Sequence, residues 1–177
     1  MNTLVSRMIR AVKLDSSLFE ELINDPSTQG QSVWVVAIFA MATGYGMFSR
    51  AGVTAVNSCL VTTFFGWYFW AFTLYFVSTY LFRNTVTKTD RKTIMRVVAF
   101  ASAPGVFRLL GVIPQTSSIL FIFTSAWIVA ASVIGIKKAF KMPSTGMAVL
   151  LCVGTWLLAF IVQSLLLLLV FSVFGIS

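Results

Sequence analysis

The chain reads as an all-α integral membrane protein: a five-transmembrane-helix bundle preceded by an N-terminal collar of short amphipathic, capped helices. Three observations predict this class. Of the 177 residues, 58% are hydrophobic and only 10% charged, against about 25% charged in soluble domains. Apolar runs long enough to cross ~30 Å of hydrocarbon, at ~1.5 Å per residue, recur along the chain. Four of the five acidic residues, Asp15, Glu20, Glu21 and Asp25, fall between Val12 and Ser32, just before the first apolar run. Residues 1–32 are therefore read as cytoplasmic amphipathic helices and 33–177 as one five-span membrane domain.

The collar comes first. Leu4, Val5, Met8, Ile9 and Val12 recur at spacings of three and four, with Arg7, Arg10 and Lys13 to the other side. That is a basic amphipathic helix suited to an anionic inner leaflet. A hydrophobic signal peptide is not expected, and the helical pattern runs on into the acidic stretch, so the segment is read as a retained structural element. Ser17 and Glu20 stand as an S-x-x-E capping box, with Glu20 and Glu21 at the positive end of the helix dipole. Leu18, Phe19, Leu22 and Ile23 form the apolar face of this helix, and Pro26 ends it. Asp25-Pro26 starts the next, an N-cap acid followed by proline at the first helical position, and that helix continues through Gln29-Gly30-Gln31 into span one. The acids thus act as caps and as partners for Arg91, Lys92, Lys137 and Lys138 on the same side. Asp15, Glu20, Glu21 and Asp25, with Lys137 and Lys138, also make up a candidate docking surface for a protein partner at the cytoplasmic face.

The five spans are placed at residues 33–48, 55–82, 94–113, 117–136 and 147–174. Arg7, Arg10, Lys13, Arg83, Lys88, Arg91, Lys92, Arg96, Lys137, Lys138 and Lys141 then lie on one side, and only Arg50 and Arg108 toward the other. By the positive-inside rule the N-terminus is cytoplasmic and the C-terminus outside. Cys59 and Cys152 fall near opposite ends of their spans, beyond the ~7 Å reach of a disulfide, so no bridge is expected. Small residues four apart mark close helix approach: Ala40 and Gly44, Ala42 and Gly46, Ala99 and Ala103, Ala101 and Gly105, Ala131 and Gly135. Spans one, three and four are accordingly the expected bundle core. Aromatics crowd span two on every side, from Phe64 to Phe82, which reads as lipid-facing and interhelical packing, with a groove for an acyl or isoprenoid chain as the sharper alternative.

Chemistry-bearing residues are few. Histidine is absent, which removes HExxH and His-ligated haem chemistry, and neither a phosphate-binding G-x-x-x-x-G-K-[ST] loop nor a G-x-S-x-G elbow occurs. No enzyme, metal or cofactor is expected. No Asp, Glu or His lies within a span, which weighs against ion-coupled transport. Arg108 is the most informative position, a cation inside span three, four residues past a helix break at Pro104-Gly105. Its expected partners are carbonyls freed by Pro104, the side chains of Asn57, Gln115 or Gln163, or a lipid phosphate. Arg108, Arg50 and Asn57 are the candidate lipid- or anion-binding residues.

Three segments carry a resemblance. KLDSSLFEELINDPSTQGQS before a Gly/Ala-rich span, RVVAFASAPGVFRLLGVIP from Arg96 to Pro114, and the AWIVAASVIGIKKAF…STGMAV region from Ala126 to Val149 resemble bacterial members of the Yip (Ypt/Rab-interacting protein) domain family. The likeness covers nearly the whole chain and implies five spans with a cytoplasmic N-terminus. Eukaryotic members are associated with prenylated Rab GTPases; no Asp-Leu-Tyr-Gly-Pro-like motif precedes span one here. The function expected is a non-enzymatic scaffold or adaptor of the bacterial inner (plasma) membrane, organising a membrane partner or anionic lipid at its cytoplasmic face. The alternative is a lipid- or small-solute-handling permease using Arg108 and the Pro104-Gly105 break. Membrane lipids, a protein at the cytoplasmic face and a second copy of the chain are the partners considered, and nucleic acid is not one.

Overall fold

The computed structural model describes residues 3–80, 82, 89–113 and 116–174, with side chains described except at 49–51, 55 and 166–174. Arg83, Lys88 and Gln115, and the side chain of Arg50, lie outside the described residues. The described elements are helical: α1 Leu4–Val12, α2 Ser16–Asn24, α3 Gln29–Gly46, α4 Phe48–Tyr80, α5 Arg91–Ala101, α6 Ser117–Ala139 and α7 Thr145–Phe174. A 3₁₀ turn, Pro26–Thr28, leads into α3, and a ten-residue 3₁₀ segment, Ala103–Val112, prolongs α5.

Among the described residues four helical stretches are long and apolar enough to cross a membrane: Gly52–Tyr80, Arg91–Val112, Ser117–Ala139 and Thr145–Leu165. Their outward sides carry Val61, Phe65, Phe72, Ile119, Ile122, Leu150 and Leu157, all exposed. Contiguous apolar surface on this scale is unusual on a soluble monomer and normal against lipid. α3 has 18 residues but begins Gln-Gly-Gln-Ser, which keeps it out of that group. It packs nonetheless against α4, α5 and the Ala103–Val112 segment.

The small residues do what their spacing predicts. Ala40, Gly44, Ala42, Gly46, Ala99, Ala103, Ala101, Gly105, Ala131 and Gly135 are all buried. A Cβ added at Gly46 would stand 2.1 Å from the carbonyl oxygen of Arg108, and one at Gly105 2.2 Å from the Phe39 ring. At Gly135 it would meet Val97 and the ring of Phe19 at 2.6 and 2.8 Å. The groove at Ala131 and Gly135 thus receives an aromatic from α2 as well as a neighbouring helix, and it fixes the N-terminal helices to the bundle.

Pro104 breaks span three as expected, and the break takes a specific form. Proline has no N–H to continue the α pattern, and the chain tightens into 3₁₀ geometry from Ala103, the amide of Gly105 donating to Ser102 O at 2.9 Å. Arg108 makes its described hydrogen bonds to side chains of α6 and not to carbonyls freed by Pro104. α4 is itself broken at Gly52, where φ 58° and ψ −152° are open only to glycine.

Two expectations for the collar are corrected. The apolar stripe of α1 does not hold together: Leu4, Met8 and Val12 pack inward while Val5 and Ile9 are exposed. Leu4, Arg7, Met8 and Ala11 share the inner face at i, i+3, i+4 and i+7, and Arg7, placed by the sequence on the polar side, is 7% exposed. It can be buried because counter-charges meet it there. The cap of α2 is Asp15 rather than Ser17: its carboxylate accepts from Ser17 N at 2.9 Å, and the helix starts two residues earlier, at Ser16. Asp25 caps the Pro26–Thr28 turn as expected, accepting from Ser27 N at 3.0 Å.

Candidate functional site

Two regions concentrate polar chemistry, one at an end of the bundle and one within it. At the first, α1 and α2 meet the start of α5 and the end of α6. Arg7 donates to Glu21 Oε1 at 2.9 and 2.7 Å, to Asp25 Oδ2 at 3.1 Å and to Gln31 Oε1 at 2.8 Å. Arg10 donates to Asp15 Oδ2 at 2.8 Å, to Glu21 Oε2 and to Ser17 Oγ at 3.0 Å. Lys138 Nζ donates to Glu20 Oε1 at 2.6 Å, and Asp90 caps α5 by accepting from Lys92 N at 3.0 Å. Thr89 Oγ1, bonded to Ala139 O at 2.7 Å, ties the same end of α5 and α6 together. Every acidic side chain is thus a cap, an ion-pair partner or both. Their partners are chiefly the arginines of α1; of the four basic residues expected to meet them, Lys138 alone does so with its side-chain charge.

These contacts set charge states. The hydrogen bond from Arg10, then those from Ser17, hold the Asp15 carboxyl down to about 2 from 3.8, and Asp25 is lowered by Ser27 first and Arg7 after it. Arg10 is raised in turn by Asp15 and Glu21. A carboxylate with a depressed folded pKa favours the folded state above its unfolded value and loses that contribution as pH falls toward the folded one. Attachment of α1 and α2 is therefore expected to weaken between pH about 4 and about 2. Limited proteolysis across that window, on the full chain in detergent, checks it: Arg10→Gln should flatten the profile, and an unchanged profile would contradict the assignment.

Arg96, counted in the sequence only as one more basic residue, is 3% exposed. Its Nε donates to Leu22 O at 2.8 Å, and its Nη2 to Ile23 O at 3.2 Å and Thr93 Oγ1 at 2.9 Å. Continuing α2 would bond Leu22 O to residue 26, which is proline, and Ile23 O to Ser27 N, which is given to Asp25. Arg96 supplies the two missing donors, one removed by Pro26 and one diverted to Asp25, at the negative end of the helix dipole.

The second region lies within the bundle. α7 packs on both α4 and α6, and between them is a cavity of about 460 Å³, within the ~300–1,000 Å³ of ligand pockets. Arg108 reaches it from the 3₁₀ segment. Its Nε donates to Thr124 Oγ1 at 3.0 Å and its Nη2 to Ser125 Oγ at 2.8 Å. The guanidinium lies over the rings of Phe121 at 4.3 Å and Phe39 at 5.0 Å. No described carboxylate pairs with it, and a cation at membrane depth costs about 2.5–3.5 kcal/mol on insertion scales.

Of the expected partners, Gln163 lines the same cavity, whereas Asn57 is exposed on α4 and not among the lining residues. Thr124 and Ser125 were not foreseen, because the register of α6 against the 3₁₀ segment is a tertiary fact that no spacing along the chain encodes. Trp67 and Trp70 also face this cavity, while Phe65, Tyr68, Phe72, Phe76 and Tyr80 are exposed, so the aromatics of α4 are sorted into two sides. Trp67 and Trp70 are anchored by their N–H groups to Met95 O at 3.1 Å and Thr155 Oγ1 at 3.2 Å. Cys59 and Cys152 are free thiols.

All-helical architecture, four spanning-length apolar helices and an outward apolar belt define a multi-pass integral membrane protein. The chain belongs to the Yip1 domain family, whose model matches residues 15–172, from the cap of α2 to near the end of α7. Comparisons with curated proteins and with solved structures gave no match.

Proposed function

We propose that this Yip1-family protein is a non-enzymatic membrane scaffold that organises anionic lipid at its cytoplasmic face, with α3 as a fifth span and the N-terminal helices folded against that face. The observation that carries the reading is the use of the acids. Asp15, Glu20, Glu21, Asp25 and Asp90 are each engaged within the chain. Lys13, Arg91, Lys92 and Lys141 at the same end are exposed. That end therefore presents cations whose complement is an anionic surface, at about 1 kcal/mol per basic residue near such a membrane. The exposed Glu20–Lys138 pair adds little to stability, on the order of 0–1 kcal/mol, and is the point where a protein partner could exchange for an internal contact.

The test is native mass spectrometry of the full chain released from nanodiscs of mixed phosphatidylglycerol and phosphatidylcholine. Wild type should retain phosphatidylglycerol preferentially. Neutralising Lys13, Arg91, Lys92 and Lys141 to Gln should remove the preference at unchanged thermal stability. Undiminished preference in that variant would refute the lipid reading. A co-purifying protein from native membranes, lost in Glu20→Lys, would replace it with an adaptor.

A further inference from the structure

The cavity at Arg108 is not used by the reading above. We propose that it is a binding site for a single-chain anionic amphiphile, with the head at Arg108 and the hydrocarbon chain between α4, α6 and α7. Three features on independent elements converge on this occupant. First, Arg108 is a positioned cation: two hydroxyls accept from one edge of the guanidinium and it lies over two aromatic rings, yet none of these groups carries negative charge. Nε and Nη2 are used in these bonds, and Nη1 donates to no described residue. An anionic head would complete the hydrogen bonding and neutralise the charge, a pairing that guanidinium geometry suits for carboxylate and phosphate alike.

Second, the rest of the lining is apolar and aromatic, with Trp67, Trp70, Val98, Ile128, Trp156 and Phe160 contributing. The few polar groups, Ser102 and Gln163 among them, do not amount to a path for a polar solute. Third, the space suits one chain. At ~30 Å³ for a water-sized group, the volume of about 460 Å³ holds on the order of fifteen such groups, enough for one acyl or isoprenoid tail. Gly66 borders this space, and a Cβ there would meet nothing within 4 Å. A side chain at that position thus has room to enter the cavity from α4, with Arg108 itself left unsubstituted.

The experiment uses the full chain in neutral detergent and its own tryptophans as reporters. Dibromostearate, a dibromostearoyl lysophosphatidate and the methyl ester of dibromostearate are titrated as quenchers. Both anionic probes should quench at about ten- to hundredfold lower concentration than the ester, the range of one charge-assisted contact. The tighter of the two anionic probes tells a carboxylate head from a phosphate one. Arg108→Gln should bring the acids to the level of the ester, and Arg108→Lys should keep part of the preference. Gly66→Leu should remove the saturable quenching altogether, separating Trp67, Trp70 and Trp156 from Trp34 and Trp127. Equal potency of acid and ester on wild type would overturn the proposal. So would unchanged acid potency in Arg108→Gln, or saturable quenching that survives Gly66→Leu. Should Arg108→Gln fail to fold, the acid-against-ester comparison on wild type and Gly66→Leu still decide. Retention of phosphatidylglycerol at the basic end is measured separately, so either reading can fail alone.

Discussion

Gly46→Ala should destabilise the protein by about 3 kcal/mol, the upper end of what overpacking a tight interface costs. The Cβ would stand 2.1 Å from Arg108 O and 3.0 Å from its carbonyl carbon. Both are backbone atoms, so relief requires moving the 3₁₀ segment as a whole. That segment also carries Gly111 against Gly46 O, where a Cβ would approach to 3.1 Å. The damage should therefore reach the cavity as well as the stability. Gly154→Ala is the matched control: it lies in α7 with nothing within 4 Å of an added Cβ. The higher helix propensity of alanine makes it neutral or stabilising by up to ~1 kcal/mol. Melting of both variants in the same detergent checks the pair. Equal melting temperatures would mean that the approach of α3 to the 3₁₀ segment is looser than described.

Arg96→Met should cost about 3 kcal/mol and should act on α2 rather than on the spans. The substitution keeps the apolar stem but leaves Leu22 O and Ile23 O without their donors, and a buried carbonyl left unpaired costs about 1–3 kcal/mol. Part of that loss is offset because the variant no longer buries a cation. With its C-terminal end unsatisfied, α2 should lift from the groove at Gly135, exposing Phe19, Leu18 and Leu22, which are fully buried in the intact protein. Proteolysis between α1 and α2 should accelerate severalfold while the membrane-embedded core stays resistant. A uniform loss of stability with no change in that cleavage would show that Arg96 serves the bundle as a whole.

These two residues also mark what could and could not be read along the chain. The close approach at Gly46 was legible because small residues four apart fall on one face of a helix whatever its neighbour is. The break at Pro104 and the start at Asp25-Pro26 were legible because proline removes a specific hydrogen bond. Arg96 was not, since its role depends on two carbonyls of another helix, those of Leu22 and Ile23, being orphaned by Pro26 and by the Asp25 cap. Arg7 was misplaced for a related reason: amphipathicity sends arginine outward unless counter-charges lie inside, and those come from Glu21 and Asp25 on elements that fold back later in the chain. At the cavity, the cation was found from sequence and its partners were not. Thr124 and Ser125 are unremarkable residues in an apolar run until the packing of α6 sets them beside Arg108.

The functional account rests on which end of the bundle faces the cytoplasm and on α3 crossing the membrane. Both are read by labelling single cysteines with an impermeant maleimide in intact and permeabilised cells, with Cys59 and Cys152 replaced by alanine. Lys13, Ser118 and Ser144 are exposed and lie after α1, at the start of α6 and just before α7. The account predicts that Ser118→Cys labels in intact cells, whereas Lys13→Cys and Ser144→Cys label only after permeabilisation. Labelling of Lys13→Cys and Ser118→Cys from the same side would mean that α3 does not cross, and the basic end would then not be the single cytoplasmic face proposed here.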